Sequence, residues 1–526
     1  MTEEKQGYKK ALGFWHVVFL TIGAILGPAV AFIPVTVLAL GGPAGIVSWP
    51  IAFLLILPIA YIYVELGAMW PKAGGVAYYP AKSHGSIAGL LNGWAAFVGY
   101  SLAMPAVVAA IVEYSAYYIP QFYNTAGTAL SYTGIGVAIV ATIIVFLINT
   151  RTIRFIGTLN NVVTVIKMAL IMIVSIALLF FFKASNLTAF GGFSPMGAAG
   201  VFLAVSATIF AYAGFRQPID YAEEVHNPGK FLPKAIIASL AIVMVFYIIE
   251  SLAFVGTINW KALSLSPGNW GGLSSLGYPY ASASLAVGLS LFAAIAIIGV
   301  VIASFSDGII YYGGAARVGN TLARYDRYFP SLFGKINKRG IPYNSVVLVL
   351  IISIIYLILL PSFTKILGVF VDAVVFSYAP SAVSLAVFRK KLPNEKRPFV
   401  LPFYRVISPL AFVVGGLLIY WSGFTAVSIS IISVFVGLLF LIYIVRSKWF
   451  SMADFKAGIW LPAYMVAILI LSYIGSSTFG GINIIAFPYD VIVFIVVTII
   501  FYFIGYYSGL GYTGKGVVED EAPVEL

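Results

Sequence analysis

Apolar runs of about 20 residues, each long enough to cross a bilayer, recur along nearly the whole chain. They fall near residues 14–40, 44–69, 87–116, 133–150, 158–182, 200–220, 233–257, 283–316, 342–362, 366–388, 406–424, 427–445, 458–476 and 489–508, an expectation of about fourteen transmembrane helices. With 61% hydrophobic and 9% charged residues, no water-soluble domain fits; the expected fold class is an all-α polytopic membrane protein. Placing the N-terminus in the cytosol and alternating the loops puts 26 of the 30 lysines and arginines on the inner side. Lys183, Lys261 and Lys365 fall outside, and Lys167 lies within a span. The net charge of +12 therefore belongs to inner loops beside the lipid bilayer, and no nucleic-acid partner is expected. The expected location is the cell membrane, with both termini cytosolic and the oligomeric state open. The absence of cysteine excludes disulfides and thiolate chemistry, and the three scattered histidines, His16, His84 and His226, give no metal site. No cofactor is expected. The polar start, Met1 to Lys10, runs straight into a long span and reads as uncleaved.

The first span is interrupted where a helix should be best protected. Between Thr21 and Val30 it carries Gly23, Gly27 and Pro28. Glycine loosens the helix and proline deletes a backbone donor. In hydrocarbon a freed backbone group costs several kcal/mol, so such a break survives only against protein or a wet cavity. The Gly23–Gly27 spacing alone also suits close helix packing. A matching break favours the other reading: the span near 200–220 is interrupted by Ala211, Ala213 and Gly214, with Pro218 soon after. Five spans separate the two, and an odd number per unit makes the second unit run inverted. Paired interruptions at corresponding positions point to a transporter binding site. The expected organisation is a cytosolic tail (1–12), a first repeat (13–185), an inverted second repeat (196–392), accessory spans 11–14 (400–510) and a cytosolic acidic tail (511–526).

Ordered motifs then carry a resemblance. Gly23 to Pro34 looks like a G-S-G-I/V-F-x-x-P segment; Glu65-Leu66 and Pro71-Lys72-Ala73-Gly74-Gly75-Val76-Ala77-Tyr78 resemble an E-L…P-x-A-G-G-x-Y loop, and Gly93-Trp94 a G-W pair. Phe210 to Phe215, Glu223 to Lys230, and Arg317 through Pro342 continue the series. Across about residues 10–400 the chain resembles the amino acid–polyamine–organocation (APC) transporters, which implies a five-plus-five, LeuT-type core and an amino acid substrate. The usual family number of spans is twelve, so the resemblance leaves the last two uncovered. Four positions depart from the pattern: Pro28 and Ala29 replace the Ser and second Gly of the G-S-G turn, Arg216 stands for a Glu, and His226 for a common Lys.

The chemistry follows from the breaks. Amide groups opening the outer half-helix, around Leu26, Gly27 and Ala29, suit a carboxylate, while carbonyls ending the inner half, around Ile22, Gly23 and Ala24, suit an ammonium. Phe210, Ala211, Tyr212 and Gly214 supply the second break, so a zwitterion is expected between them. Phe210, Tyr212 and Phe215 are candidates to gate or line the pocket, ordinary packing being the alternative. Lys167 lies at least nine residues from either end of its span, too deep to snorkel, and an ionisable group there is functional by default. In similar family members a lysine at this place replaces a sodium site, which implies proton coupling. Arg216 and Asp220 stand one turn apart and either pair or border the vestibule. Asp307 and Asp372 are candidate partners of Lys167 or of a proton path. Glu113 and Glu250 are expected to be solvated at outer ends, and Glu65, Glu223 and Glu224 to pair with basic inner loops. No catalytic residues are expected: no carboxylate pair, HExxH motif or nucleophile–base set shares a depth, and no continuous polar pore suggests a channel. The leading expectation is a proton-coupled amino acid symporter; an uncoupled amino acid or polyamine exchanger and a transporter-like sensor are the alternatives.

Overall fold

Helix follows helix from Phe14 to Leu510, and among the described residues the extended pairings are only the isolated bridges Leu12–Val225 and Tyr123–Leu130. The computed structural model describes residues 7–124, 129–325, 327–363, 366, 373–440 and 451–514. Asp372, most of the acidic tail and parts of the expected tenth and twelfth spans lie outside them.

The first expected span is two helices. α1 (Phe14–Ile25) ends as Gly27 turns extended, and a short 3₁₀ turn led by Pro28 opens the way to α2 (Ile33–Gly41). Then come α3 (Ser48–Met69), α4 (Gly75–His84), α5 (Ser86–Ser115), α6 (Tyr132–Asn149) and α7 (Ile153–Leu179). The stretch read as a loop after Pro71 is thus largely helical, because left-handed Gly74 (φ 62°) redirects the chain into α4.

The sixth span is also broken. α8 (Gly197–Phe210) gives way to a turn and then to the single turn α9 (Gln217–Asp220). α10 (Pro228–Thr257) starts on a proline, which has no amide hydrogen to leave unpaired. The expected eighth span divides into a short α11 (Pro279–Ala286) and a long α12 (Ser290–Arg324), since Gly288 (φ 82°) turns the chain between them. α13 (Tyr343–Leu359), α14 (Pro380–Lys391), α15 (Tyr404–Trp421), α16 (Phe424–Val436), α17 (Met452–Gly458), α18 (Trp460–Ile474) and α19 (Tyr489–Leu510) complete the order.

Nine helical stretches among the described residues are long and apolar enough to cross a membrane. Four shorter apolar helices include α1 and α8, which fall short because each stops at a break. The chain is therefore an all-helical, multi-pass membrane protein. α5 and α12 form its most buried axis, α7 and α1 pack beside α12, and α3 packs on α10. α19 lies against α14 and α15, while Leu54, Ile166 and Ile432 stay exposed on the outer faces of their helices, as lipid contact requires.

Candidate functional site: the junction of two broken helices

The breaks meet. Gly214 has φ of 106°, and a methyl group on its Cα would collide with the Ala24 carbonyl and the Ile25 nitrogen. The second break therefore lies directly on the peptide that ends α1. Pro28 has no N–H to return to the Ala24 carbonyl four residues back, so the helix cannot satisfy that group itself.

Lys167 closes the same end from α7. Its ammonium donates to the Gly23 carbonyl at 2.8 Å and to the Leu26 carbonyl at 2.7 Å, and the residue is wholly buried. A cation at the negative end of a helix dipole is favourable, and the two carbonyls are acceptors the break has released. Asp307, on α12, is the carboxylate whose charge bears on Lys167. A methyl group on Gly27 would strike that carboxylate, so Asp307 faces the break itself. Below Lys167 the same face of α7 carries Thr164 and Asn160, and Ser306 of α12 donates to Asn160 at 3.2 Å. Asn160 and Thr164 also sit where a side chain on Gly23 would have to go.

Arg216 is fully buried two residues past the second break. Its guanidinium donates to the Tyr100 hydroxyl (3.1 and 2.5 Å), the Tyr63 hydroxyl (3.3 Å) and the Ser377 hydroxyl (2.8 Å). The Tyr378 ring centroid lies 4.7 Å away, a cation–π distance. Tyr100 in turn donates to Asp220 at 2.8 Å, so the link between Arg216 and Asp220 runs through a tyrosine. The Gly214 amide donates to the Tyr378 hydroxyl at 3.4 Å, which ties this cage to the break.

At the face that carries the N-terminus, Arg317 of α12 grips Glu224 with two bonds, 2.5 and 2.8 Å long. Its guanidinium lies 4.0 Å from the Tyr221 ring centroid and donates to the Gly313 carbonyl at 2.8 Å. Burial raises the Glu224 carboxyl above the usual carboxylate range, and Arg317 opposes that rise. The chain start seals the spot: the Ala11 and Leu12 amides both donate to the Glu224 carbonyl at 2.9 Å, and Tyr8 donates to Asn320 at 3.1 Å.

The structure thus brings Gly23, Ala24, Leu26, Gly27, Gly214, Lys167 and Asp307 together, with Arg216 and Asp220 in a neighbouring cage. Gly23, expected to offer its carbonyl to a ligand, gives it to Lys167; Leu26, expected to offer its amide, donates it to the Ile22 carbonyl at 2.9 Å and gives its carbonyl to Lys167. Tyr212 is turned away into packing: fully buried, it donates to the Trp49 carbonyl at 3.1 Å. Phe215 is buried between Tyr63 and Tyr378, and of the three aromatic candidates only Phe210 keeps partial exposure. Ile22 and Ala211 are buried beside the breaks and Ala29 is half-buried. Two expectations need correction. Glu250 is fully buried rather than solvated, because its face of α10 turns inward, and Glu224 pairs with helix α12 rather than with a loop. Glu65 does meet Arg389 and Arg397, at 2.7 and 3.3 Å. Tyr63, Tyr100, Ser377 and Tyr378 were absent from the candidates, since they come from α3, α5 and the turn before α14 with no shared spacing. Asn160 and Thr164 carried a signal: with Lys167 they follow i, i+4, i+7 spacing on one helix face.

A family model described as amino acid permease matches residues 12–436. The chain belongs to that family of APC-superfamily transporters. It is 30% identical over 504 residues to the glutamate/serine transporter AimA of Bacillus subtilis (strain 168), covering 94% of this chain and 93% of that one. It is 30% identical over 518 residues to the aspartate-proton symporter of the same organism, covering 96% of this chain and 98% of the relative. The branched-chain amino acid permease BcaP of Bacillus subtilis is 26% identical over 465 residues, 85% of this chain and 95% of that one.

Proposed function

We propose that the chain carries amino acids across the cell membrane together with protons, by alternating access around the two breaks. The supporting observation is the Lys167 ammonium on the Gly23 and Leu26 carbonyls. Losing that proton removes a charge at the α1 terminus and weakens the clasp between α1 and α7, whose bonds are no longer charge-assisted. The lysine's protonation state and the shape of the binding junction therefore change together, as symport requires. The binding groups are Ile22, Gly23, Ala24, Leu26, Gly27 and Ala29 of the first break and Phe210, Ala211 and Gly214 of the second, with Asp307 as the charge partner of Lys167 and Tyr212 packing behind them.

The frame for this reading is a fourteen-span protein with a LeuT-type core, repeats at 13–185 and 196–392, and accessory spans at 400–510. Both termini are cytosolic, in line with the distribution of lysine and arginine. On that orientation the Glu224–Arg317 clamp and the docked chain start close the inner side. Acidic amino acids are the favoured substrates: Arg216 adds a fixed positive field beside the junction, and two relatives of similar full length are a glutamate/serine transporter and an aspartate-proton symporter.

The test is uptake of labelled glutamate, aspartate, serine and leucine into proteoliposomes, with and without an inward proton gradient. Wild type is expected to accumulate acidic substrates when the gradient is present, and Lys167→Ala to ignore it. Equal, gradient-independent uptake by both proteins would replace symport with uncoupled exchange.

A further inference from the structure

Glu250 stands on α10 seven residues before its end at Thr257, about two helical turns inside the face opposite the termini. It is wholly buried, and neither of its carboxyl oxygens has a hydrogen-bond partner among the described residues. The groups its charge reaches are Tyr247, one turn earlier on α10, and Tyr280 on α11. Both hydroxyls are buried and also lack partners among the described residues. The next residue, Ser251, accepts from the Trp49 indole at 2.9 Å and makes no bond to Glu250. No lysine, arginine or histidine among the described residues bears on Glu250.

An unpaired carboxylate in such surroundings is too costly to persist, so the resting group is the neutral acid. Structural buried acids are normally paired or bonded; among the described residues this one is neither. Tyr247 lies within electrostatic reach of both Glu250 and Asp307. Asp307 has one buried oxygen without a partner among the described residues and acts on Lys167. Tyr280, Glu250, Tyr247 and Asp307 thus each hold a buried polar atom with no partner among the described residues, and buried polar atoms left unpaired by protein are ordinarily met by water.

We propose that Glu250 is a second proton-carrying site, between the outer face and Lys167. Resting on the proton-coupled reading above, the step is a transfer in which the Glu250 acid gives up its proton through Tyr247 and intervening water to the neutral Lys167 amine beside Asp307. Glu250 is left as a carboxylate and Lys167 becomes an ammonium. A proton from the outer solution, arriving past Tyr280, restores the acid. Net charge and proton count are conserved at each transfer.

Glu250→Gln keeps the shape and removes the proton. In proteoliposomes it is expected to exchange internal for external substrate at the wild-type rate, yet to lose gradient-driven accumulation by at least ~10-fold, with a flattened dependence on external pH. A Glu250→Gln protein with wild-type accumulation and pH profile would overturn the proposal. A wild type that ignores the gradient refutes the coupling reading itself, so the two failures are distinguishable. If Glu250→Gln does not assemble, infrared difference spectra of wild type against Glu250→Asp decide the matter. A buried carboxylic-acid band that moves in the variant and fades as substrate and protons enter supports the site, and its absence overturns it.

Discussion

The Lys167 ammonium and the Leu26 carbonyl lie 2.7 Å apart, joining the middle of α7 to the broken end of α1. The carbonyl is available because the chain turns extended at Gly27, and the Val30 amide four residues on donates to the Gly27 carbonyl instead. Lys167→Met should retain the bulk but strand two buried acceptors, lowering stability by about 1–3 kcal/mol. Thermal unfolding in detergent measures this, and a variant as stable as wild type would contradict the clasp.

Gly214 makes a separate prediction. Its φ of 106° and its seat against the Ala24 carbonyl leave no room for a side chain. Gly214→Ala should cost about 1–3 kcal/mol in backbone strain and abolish uptake, because the breaks are pushed apart. Gly197, with φ of 61° and open space around its Cα, is the control: Gly197→Ala should meet strain alone and keep transport. Uptake by the two variants side by side checks whether contact between the breaks matters.

The Glu224–Arg317 clamp closes one face at 2.5 Å. Removing one partner of a buried pair strands the other, at about 3–5 kcal/mol. Glu224→Gln should therefore favour the form open on that side. The chain has no cysteine, so a single Ala211→Cys gives a clean reporter. Thiol labelling from the terminus-bearing side should speed up in the Glu224→Gln background, and unchanged labelling would contradict a gating clamp.

His84 sets a pH dependence. It lies on α4 between spans, its Nδ1 2.6 Å from the Ser83 hydroxyl and its Nε2 2.9 Å from the Gly505 carbonyl of α19. Since a carbonyl only accepts, Nε2 carries the proton and Nδ1 accepts from Ser83. Burial lowers the imidazole from 6.5 to about 4. The unfolded chain thus binds a proton before the folded one, and stability falls as pH drops from 6.5 toward 4, by up to about 3 kcal/mol. Melting curves across that window should lose this slope in His84→Gln.

Much of this architecture was legible because each feature had a local cause. Gly23, Gly27 and Pro28 marked the first break by composition, Gly214 the second, and Lys167 stood out as one charge in an apolar run. The tyrosine cage around Arg216 was not legible, since Tyr63, Tyr100 and Tyr378 meet only after α3, α5 and the turn before α14 pack together. Tyr212 looked like a pocket residue because it borders a break, but its ring turns to Trp49 of α3. Glu250 misled for a related reason: nearness to a helix end suggested water, while the face it occupies is decided by packing of α10 against its neighbours.

The central claim is that substrate and proton cross together through the junction held by Lys167. The most direct measurement is the internal pH of proteoliposomes, reported by a trapped dye, on adding external glutamate or aspartate without an imposed gradient. The account predicts substrate-induced acidification of the lumen in wild type and none in Lys167→Ala. Substrate entry without acidification in wild type, or the same acidification in Lys167→Ala, would contradict it.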